Sequence, residues 1–226
     1  VYGDTNSTLA GAMAAAKLHI PIAHVEAGLR SFNMKMPEEI NRILTDRVSK
    51  YLFCPTDTAI KNLKAEGFDH FDCKIVKNGD VMYDAALFYS KTSPEKAQTF
   101  QKLNLNKFVL CTVHRAENTD SVERLQGIFS ALRALSEEFP VVLPLHPRTR
   151  KFIESYNINT QGIVLLDPVG YFDMLELLKH CQFVLTDSGG LQKEAYFFGK
   201  PCLTMRDETE WTELVEVGHN RLVGTS

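Results

Sequence analysis

The sequence predicts an α/β chain made of two Rossmann-like parallel-sheet domains. Three observations carry this expectation. Short continuous Val/Ile/Leu runs alternate with helical patterns along most of the chain. The runs lack the polar alternation of a half-exposed antiparallel strand, so both of their faces are covered, as in parallel sheets. One polar stretch, 90–107, interrupts the alternation and separates a first domain, residues 1–89, from a second, residues 108–226.

In the first domain, Val1-Tyr2 reads as the end of a buried strand and Gly3-Asp4-Thr5 as a turn into a helix over 6–18. Strands run to roughly 5–6 residues, so the start of this strand is expected upstream and the first domain is read as truncated. A strand over 20–25 follows, then a helix over 37–50 opened by Pro37. On that helix Ile40, Ile43, Leu44 and Val48 form an apolar face, and Glu38, Asn41, Arg42 and Thr45 a polar one. A strand over 51–54, a helix over 57–66 ended by Gly67, a strand over 74–77 and a helix over 81–89 complete this domain. Residues 90–107, with Pro94, read as a linker region.

The second domain is expected to hold strands at 108–113, 141–145, 163–166, 183–186 and 201–205, with helices at 121–138, 171–180 and 190–198. The last residues, "RLVGTS", are expected to lack a closing helix.

Composition narrows the function classes. The chain is 44% hydrophobic and 23% charged with a net charge of −3, which is ordinary globular composition. No basic surplus points to nucleic acid. No apolar run approaches the ~20 residues that span a bilayer. The five cysteines have no CxxC spacing, and four lie in or beside apolar runs. Buried free thiols in a reducing compartment, the cytoplasm, are the expectation. No His/Cys/Asp spacing resembles a zinc site, and no metal is expected. The absence of GxSxG, GxxxxGK[ST] and GxGxxG argues against an esterase, a P-loop kinase and a dehydrogenase within these residues.

In open parallel sheets, ligands bind beyond the carboxyl ends of the strands. Seven such ends deliver ionisable residues here: Asp4, Glu26, His114-Arg115, His146 with Arg148, Asp167, Asp187 and Arg206-Asp207. Ser188-Gly189-Gly190 lies between a strand and a helix, where glycines let N–H groups approach an anion and the helix N-terminus favours negative charge. With Arg115, Arg148, Arg150 and Arg206 at neighbouring ends, a diphosphate is the expected ligand. The first domain instead supplies carboxylates, Asp4, Glu26 and Glu38, which can exchange protons in a cleft. Helix capping is the plainer role for Asp4 and Glu38. His114, beside Arg115 and Glu117, is placed to assist a leaving phosphate oxygen, and His146 has similar standing. His24 lies inside an apolar run and reads as a satisfied buried imidazole.

"GDT", "HVEAGLR", "PEEINR", "HRAEN", "TDSGGLQKEA", "GKP" and "RLVGT" together resemble, in order, the motifs of the non-hydrolysing UDP-N-acetylglucosamine 2-epimerases. The resemblance implies a GT-B-like fold with the active site between two Rossmann-like domains. It implies inversion of C2 of a UDP-2-acetamido sugar by elimination and re-addition of UDP, in a homodimer without a cofactor. By motif, Asp4, Glu26 and Glu38 resemble the acid/base carboxylates and His114 the residue that assists UDP departure. Arg42, Ser188, Gly189, Gly190 and Glu194 resemble the UDP-binding set, with Glu194 on the ribose; Arg115, His146 and Arg206 join the expected substrate-binding residues.

Two features depart from the familiar pattern. "RDETEW" places Trp211 where an arginine follows the glutamate in bacterial members, and "HPRTRK" is more basic than usual. Both resemble a branch acting on UDP-2,3-diacetamido-2,3-dideoxyglucuronate, whose carboxylate would welcome Arg148, Arg150 or Lys151. A GT-B glycosyltransferase would share the fold and the diphosphate site but needs an acceptor; a UDP-sugar sensor would need no carboxylate chemistry. A hydrolysing relative would release free sugar and UDP.

Overall fold

The computed structural model describes residues 1–105 and 107–224. Thr225, the last residue of the "RLVGT" motif, lies outside the described residues. The chain divides into two compact units, Val1–Met82 and a second that begins at Tyr83.

In the first unit the order is α1 (Asn6–Lys17), β1 (Ala23–Val25), α2 (Pro37–Val48), β2 (Tyr51–Cys54), α3 (Asp57–Ala65) and β3 (Lys74–Lys77). The three strands pair in parallel in the order β1-β2-β3. Tyr2 makes a further parallel bridge to Val25, so Val1-Tyr2 does run beside the sheet. β1 is shorter than the expected 20–25 because Pro21 has no N–H to offer a ladder. Thr5 and Thr56 cap α1 and α3 by accepting the amides of Thr8 and Ala59. The loop after β1 presses on α3: a Cβ at Gly28, where φ is +82°, would lie 2.5 Å from the Ala59 carbonyl oxygen.

The expected amphipathicity of α2 is reversed. Ile40 and Leu44 are exposed, while Glu39, Asn41, Arg42, Thr45 and Asp46 are buried. Apolar burial would place the opposite face inward. The inward polar face prevails because its groups are paired: Arg42 with Asp4 and Glu39, and Asp46 with His24 and Arg30. Buried charges persist only when they are partnered in this way.

The unit boundary falls within α4 (Val81–Ser90). Residues 90–107, expected as a linker region, carry α5 (Ser93–Lys96) and α6 (Gln98–Lys102). The elements that follow are β4 (Val109–Thr112), α7 (Ala116–Thr119), α8 (Val122–Ser136), β5 (Val141–Pro144), α9 (Pro147–Ser155) and β6 (Ile163–Leu166). Then come α10 (Tyr171–His180), β7 (Val184–Thr186), α11 (Gly189–Phe197), β8 (Cys202–Thr204), α12 (Thr212–Glu216) and β9 (Asn220–Leu222). α5 and α6 belong to the second unit, where both are held by acids of α10. Ser93 Oγ donates to Glu176 Oε1, and Asp173 Oδ1 accepts the amides of Thr99 and Phe100.

The second sheet is parallel throughout, in the order β6-β5-β4-β7-β8-β9. This is the doubly wound pattern, with its switch point between β4 and β7. Alternation along the strands divides the core. Val109, Cys111 and Val113 pack with Leu125, Ile128, Phe129 and Leu132 of α8 on one face. Phe108 and Leu110 pack with Leu177, Leu178, Leu191 and Ala195 of α10 and α11 on the other. Each such fully buried Leu or Phe stabilises by about 1.5–3 kcal/mol. Four of the five cysteines, all free, are buried; Cys73 is half-buried. Burial pushes the Cys54 and Cys202 thiols up, to about 12 and about 11, so neither is a thiolate nucleophile at neutral pH.

Candidate functional site

In the first unit two of the expected carboxylates, Asp4 and Glu26, stand at carboxyl ends of the sheet, and Glu38 stands at a helix start. Gly3 takes a left-handed conformation, with φ +69°, at the turn before Asp4. Glu26 Oε2 lies 3.7 Å from where a Cβ on Gly3 would sit. Glu26 itself has φ +75°, a conformation that costs a non-glycine residue of order 1 kcal/mol or more and that clusters at functional sites. Its backbone amide and that of Ala27 are both held by the Phe53 carbonyl. Glu38 is in the first turn of α2, one turn before Arg42 and on the same side.

Arg42, expected on UDP, is buried and donates to Asp4 Oδ2 at 2.6 Å and to Glu39 Oε2 at 3.0 Å. Asn41 Nδ2 donates to the Asp4 carbonyl and to Asn6 Oδ1, both at 2.9 Å. The cap of α1 is Thr5 rather than Asp4. The Asp4 side chain is therefore committed to Arg42, not to helix capping.

Three buried groups support this corner without having been singled out in the sequence. Glu39 accepts the amides of Ser31 and Phe32, each at 2.9 Å, and fixes the loop before α2. Asp46 pairs with His24 Nδ1 at 2.6 Å and Arg30 at 2.8 Å and accepts the Gly28 amide at 3.1 Å. His24 is the satisfied buried imidazole the sequence suggests, and its Nε2 donates to the Gly3 carbonyl at 2.9 Å. Arg30 closes the chain with a forked pair to Glu66, at 2.6 and 2.8 Å.

In the second unit a cavity of about 300 Å³ opens at the switch point. It brings together His114, His146, Ser188, Gly190 and Glu194. Ser188 caps α11 by accepting the Leu191 amide, which leaves the first amides of the helix at the cavity. A Cβ at Gly189 would meet Glu210 Oε1 at 2.1 Å, so a larger residue there would have to displace that carboxylate.

Asp187, wholly buried, organises the floor. It accepts the amides of His114 and Arg115 and the side-chain amide of Asn118. His114 Nδ1 faces it at 3.3 Å. Burial, with the nearby Arg115 and His146, outweighs Asp187 and holds the His114 imidazole below the ordinary histidine range. His146 caps α9: its Nδ1 accepts the Arg148 amide, so Nε2 carries the ring hydrogen. The two imidazole rings are 5.7 Å apart. Burial lifts the Glu194 carboxyl above its usual range, against a hydrogen bond from Tyr171 and the charge of Lys193.

The arginines are largely committed to carboxylates. Arg206, buried, donates to Glu210 at 3.0 Å and faces Glu117 at 3.4 Å. Arg148 and Arg150, expected to welcome a sugar carboxylate, pair with Asp120 and Asp167 at 2.5 and 2.7 Å. A larger groove of about 650 Å³ along α8, lined by residues such as Ile128, Leu132 and Met205, contains none of the expected site residues. Among the described residues no group of three or more His, Cys, Asp and Glu could hold a metal ion, and no helix is long and apolar enough to cross a membrane.

Sheet order and site together define a class: a Rossmann-like α/β protein with a glycine-opened helix N-terminus at its switch point and carboxylates on a second parallel sheet. The model of one family, described as UDP-N-acetylglucosamine 2-epimerase, matches residues 1–226. The chain belongs to that family. It is 60% identical over 229 residues to the UDP-2,3-diacetamido-2,3-dideoxy-D-glucuronate 2-epimerase of Pseudomonas aeruginosa, covering 100% of this chain and 63% of that protein. It is 36% identical over 238 residues to the UDP-N-acetylglucosamine 2-epimerase of Escherichia coli K12, again covering 100% and 63%. Among solved structures, the UDP-GlcNAc 2-epimerase of Methanocaldococcus jannaschii in complex with UDP-GlcNAc and UDP aligns with a TM-score of 0.92 at 45% identity, over 100% of this chain and 64% of that one. The fold class is GT-B-like, as expected. The chain spans about 63% of the length of the two curated relatives named here.

Proposed function

We propose that the full-length protein inverts C2 of a UDP-2-acetamido sugar by eliminating and re-adding UDP. One observation carries the reading: the family match runs over the whole chain, and its motifs fall on strand and helix ends. A carboxylate among Asp4, Glu26 and Glu38 takes the C2 proton as the C1–O bond to UDP breaks and a C1=C2 double bond forms. UDP then returns to C1 while another of these groups, in its protonated carboxylic acid form, delivers a proton to C2 from the other face and is left as a carboxylate. Arg42 keeps Asp4 in place for this exchange.

The amides of Gly189 and Gly190, with Ser188, hold the diphosphate at the start of α11. Glu194 accepts from a ribose hydroxyl. His114, neutral when the site is empty, gains a reason to protonate when a diphosphate arrives, since a nearby negative charge favours imidazolium. It then supports the departing phosphate oxygen, with His146 and Arg115 beside it. Arg206 acts on this site by holding Glu210.

Which sugar reacts is a second question. The 60% identity to the Pseudomonas aeruginosa protein favours the 2,3-diacetamido glucuronate over UDP-N-acetylglucosamine. The pairing of Arg148 and Arg150 with acids weighs the other way. We place the protein in the cytoplasm, which suits its free thiols. We also read it as a homodimer, with the exposed row Ile40 and Leu44 of α2 as a face suited to cover.

The test is proton NMR of the full-length protein in D2O with each sugar nucleotide in turn. Loss of the H2 signal with growth of the manno epimer is expected, and the reacting sugar names the branch. No exchange with either, in the absence of an acceptor, would return the reading to a glycosyltransferase.

A further inference from the structure

We infer that Trp211 is a ligand of the sugar nucleotide, donating its indole N–H to the diphosphate at the start of α11. The inference rests on the reading of that helix terminus as the diphosphate site.

Trp211 is 5% exposed, yet its Nε1 has no hydrogen-bond partner among the described residues. Indole N–H is a donor only, and a buried tryptophan ordinarily finds an acceptor for it. A donor left without one in a native core calls for an explanation. Its position supplies one. Nε1 lies 3.7 Å from where a Cβ on Gly189 would sit, beside the first residue of α11. α11 is nine residues long, and its terminal amides face the cavity with His114 and Glu194. The indole thus adds a side-chain donor to a helix terminus that already favours an anion.

The surroundings hold the ring in that pose. Lys193 lies one turn along α11 from Gly189, on the same side of the helix, and its Nζ stands 4.1 Å from the centre of the Trp211 ring. A cation over the face of an indole is attracted to it and fixes its plane. The neighbouring Glu210 carboxylate would repel a diphosphate, but it is bound to the buried Arg206 guanidinium at 3.0 Å. Arg206 therefore offsets the Glu210 carboxylate, and the neutral indole supplies direction rather than charge.

The experiment uses the full-length protein and UDP as the probe. Calorimetry should show W211F binding UDP about tenfold more weakly than the parent. Phenylalanine keeps a ring under Lys193 but removes the N–H, so an unchanged affinity overturns the inference. A crystal structure of the unmutated protein with UDP serves if W211F does not fold. Trp211 Nε1 within hydrogen-bond distance of a phosphate oxygen is expected, and UDP bound without that contact overturns it. Failure of the unmutated protein to bind UDP would instead remove the diphosphate site itself, and with it the proposed function.

Discussion

The guanidinium of Arg42 donates to Asp4 Oδ2 at 2.6 Å, joining the middle of α2 to the turn that follows Tyr2. A second branch reaches the buried Glu39 at 3.0 Å. One planar fork therefore positions one candidate catalytic acid and neutralises one structural acid. R42M leaves both carboxylates without it. Breaking a buried pair by removing one partner costs about 3–5 kcal/mol. Urea unfolding of full-length R42M should lose stability on that scale. R42K restores a charge but not the fork, so it should recover some of the stability while turnover stays at least tenfold down. R42M as stable as the parent would show that the pair contributes nothing.

His24 acts one layer further back. It bridges Asp46 and the Gly3 carbonyl, directly behind the peptide that carries Asp4. In H24F the Gly3 carbonyl and one Asp46 oxygen lose a partner, at about 1–3 kcal/mol for each buried group left unsatisfied. Because the damage falls on the carboxylate side, turnover should drop while UDP affinity, measured by calorimetry, stays within twofold. Loss of UDP binding in step with turnover would mark His24 as a general folding residue.

How far the sequence reveals the molecule follows from which forces are local. Strand ends are legible because continuous apolar runs mark buried parallel strands, and β2, β3 and β6 have the expected limits. α9 escapes notice because Pro147-Arg148-Thr149-Arg150 is a polar opening, with apolar contact only from Phe152 and Ile153. β9, Asn220–Leu222, is too short and polar to read, and exists by pairing with β8 at the sheet edge. α2 misleads for the opposite reason: its apolar residues advertise a buried face, but a long-range ionic network takes the inside. Glu39, Asp46 and Asp187 share that difficulty. Each looks like an ordinary helix or turn acid, and only the tertiary structure shows the backbone amides it holds. The alternation of acids and arginines in "PEEINRILTDR" is the one signal that could have exposed the network.

His114 offers a pH test. Burial holds its imidazole below the ordinary value of 6.5, so the folded protein takes up that proton less readily than the unfolded chain. Between the folded value and 6.5 the unfolded state binds more protons, so stability rises with pH there. The contribution is fully present above 6.5 and is lost as pH falls through the folded value. An NMR titration of the His114 ring should give a midpoint below 6.5 without ligand and a higher one with UDP bound. A midpoint that ignores UDP would remove His114 from the diphosphate site.

Glu194 gives the complementary test on the nucleoside side. Burial raises its carboxyl above the ordinary 4.5, while the Tyr171 hydroxyl favours the ionised form by hydrogen bonding to it. In the proposed contact, a ribose hydroxyl bonds more strongly to the ionised form than to the neutral acid. UDP affinity should therefore decline on acidification from a pH above that of an ordinary glutamate. Hydrogen bonds to charged groups contribute about 1.5–3 kcal/mol, so the full decline should be roughly tenfold or more. Y171F removes the bond that favours the carboxylate, raises Glu194 further and should move the onset to higher pH. E194Q should bind weakly and lose the decline on acidification, keeping only the rise in affinity that His114 protonation brings. Calorimetry of the three proteins across pH decides it: superimposable parent and Y171F curves would separate Tyr171 from Glu194, and an undiminished E194Q would take Glu194 off the ribose.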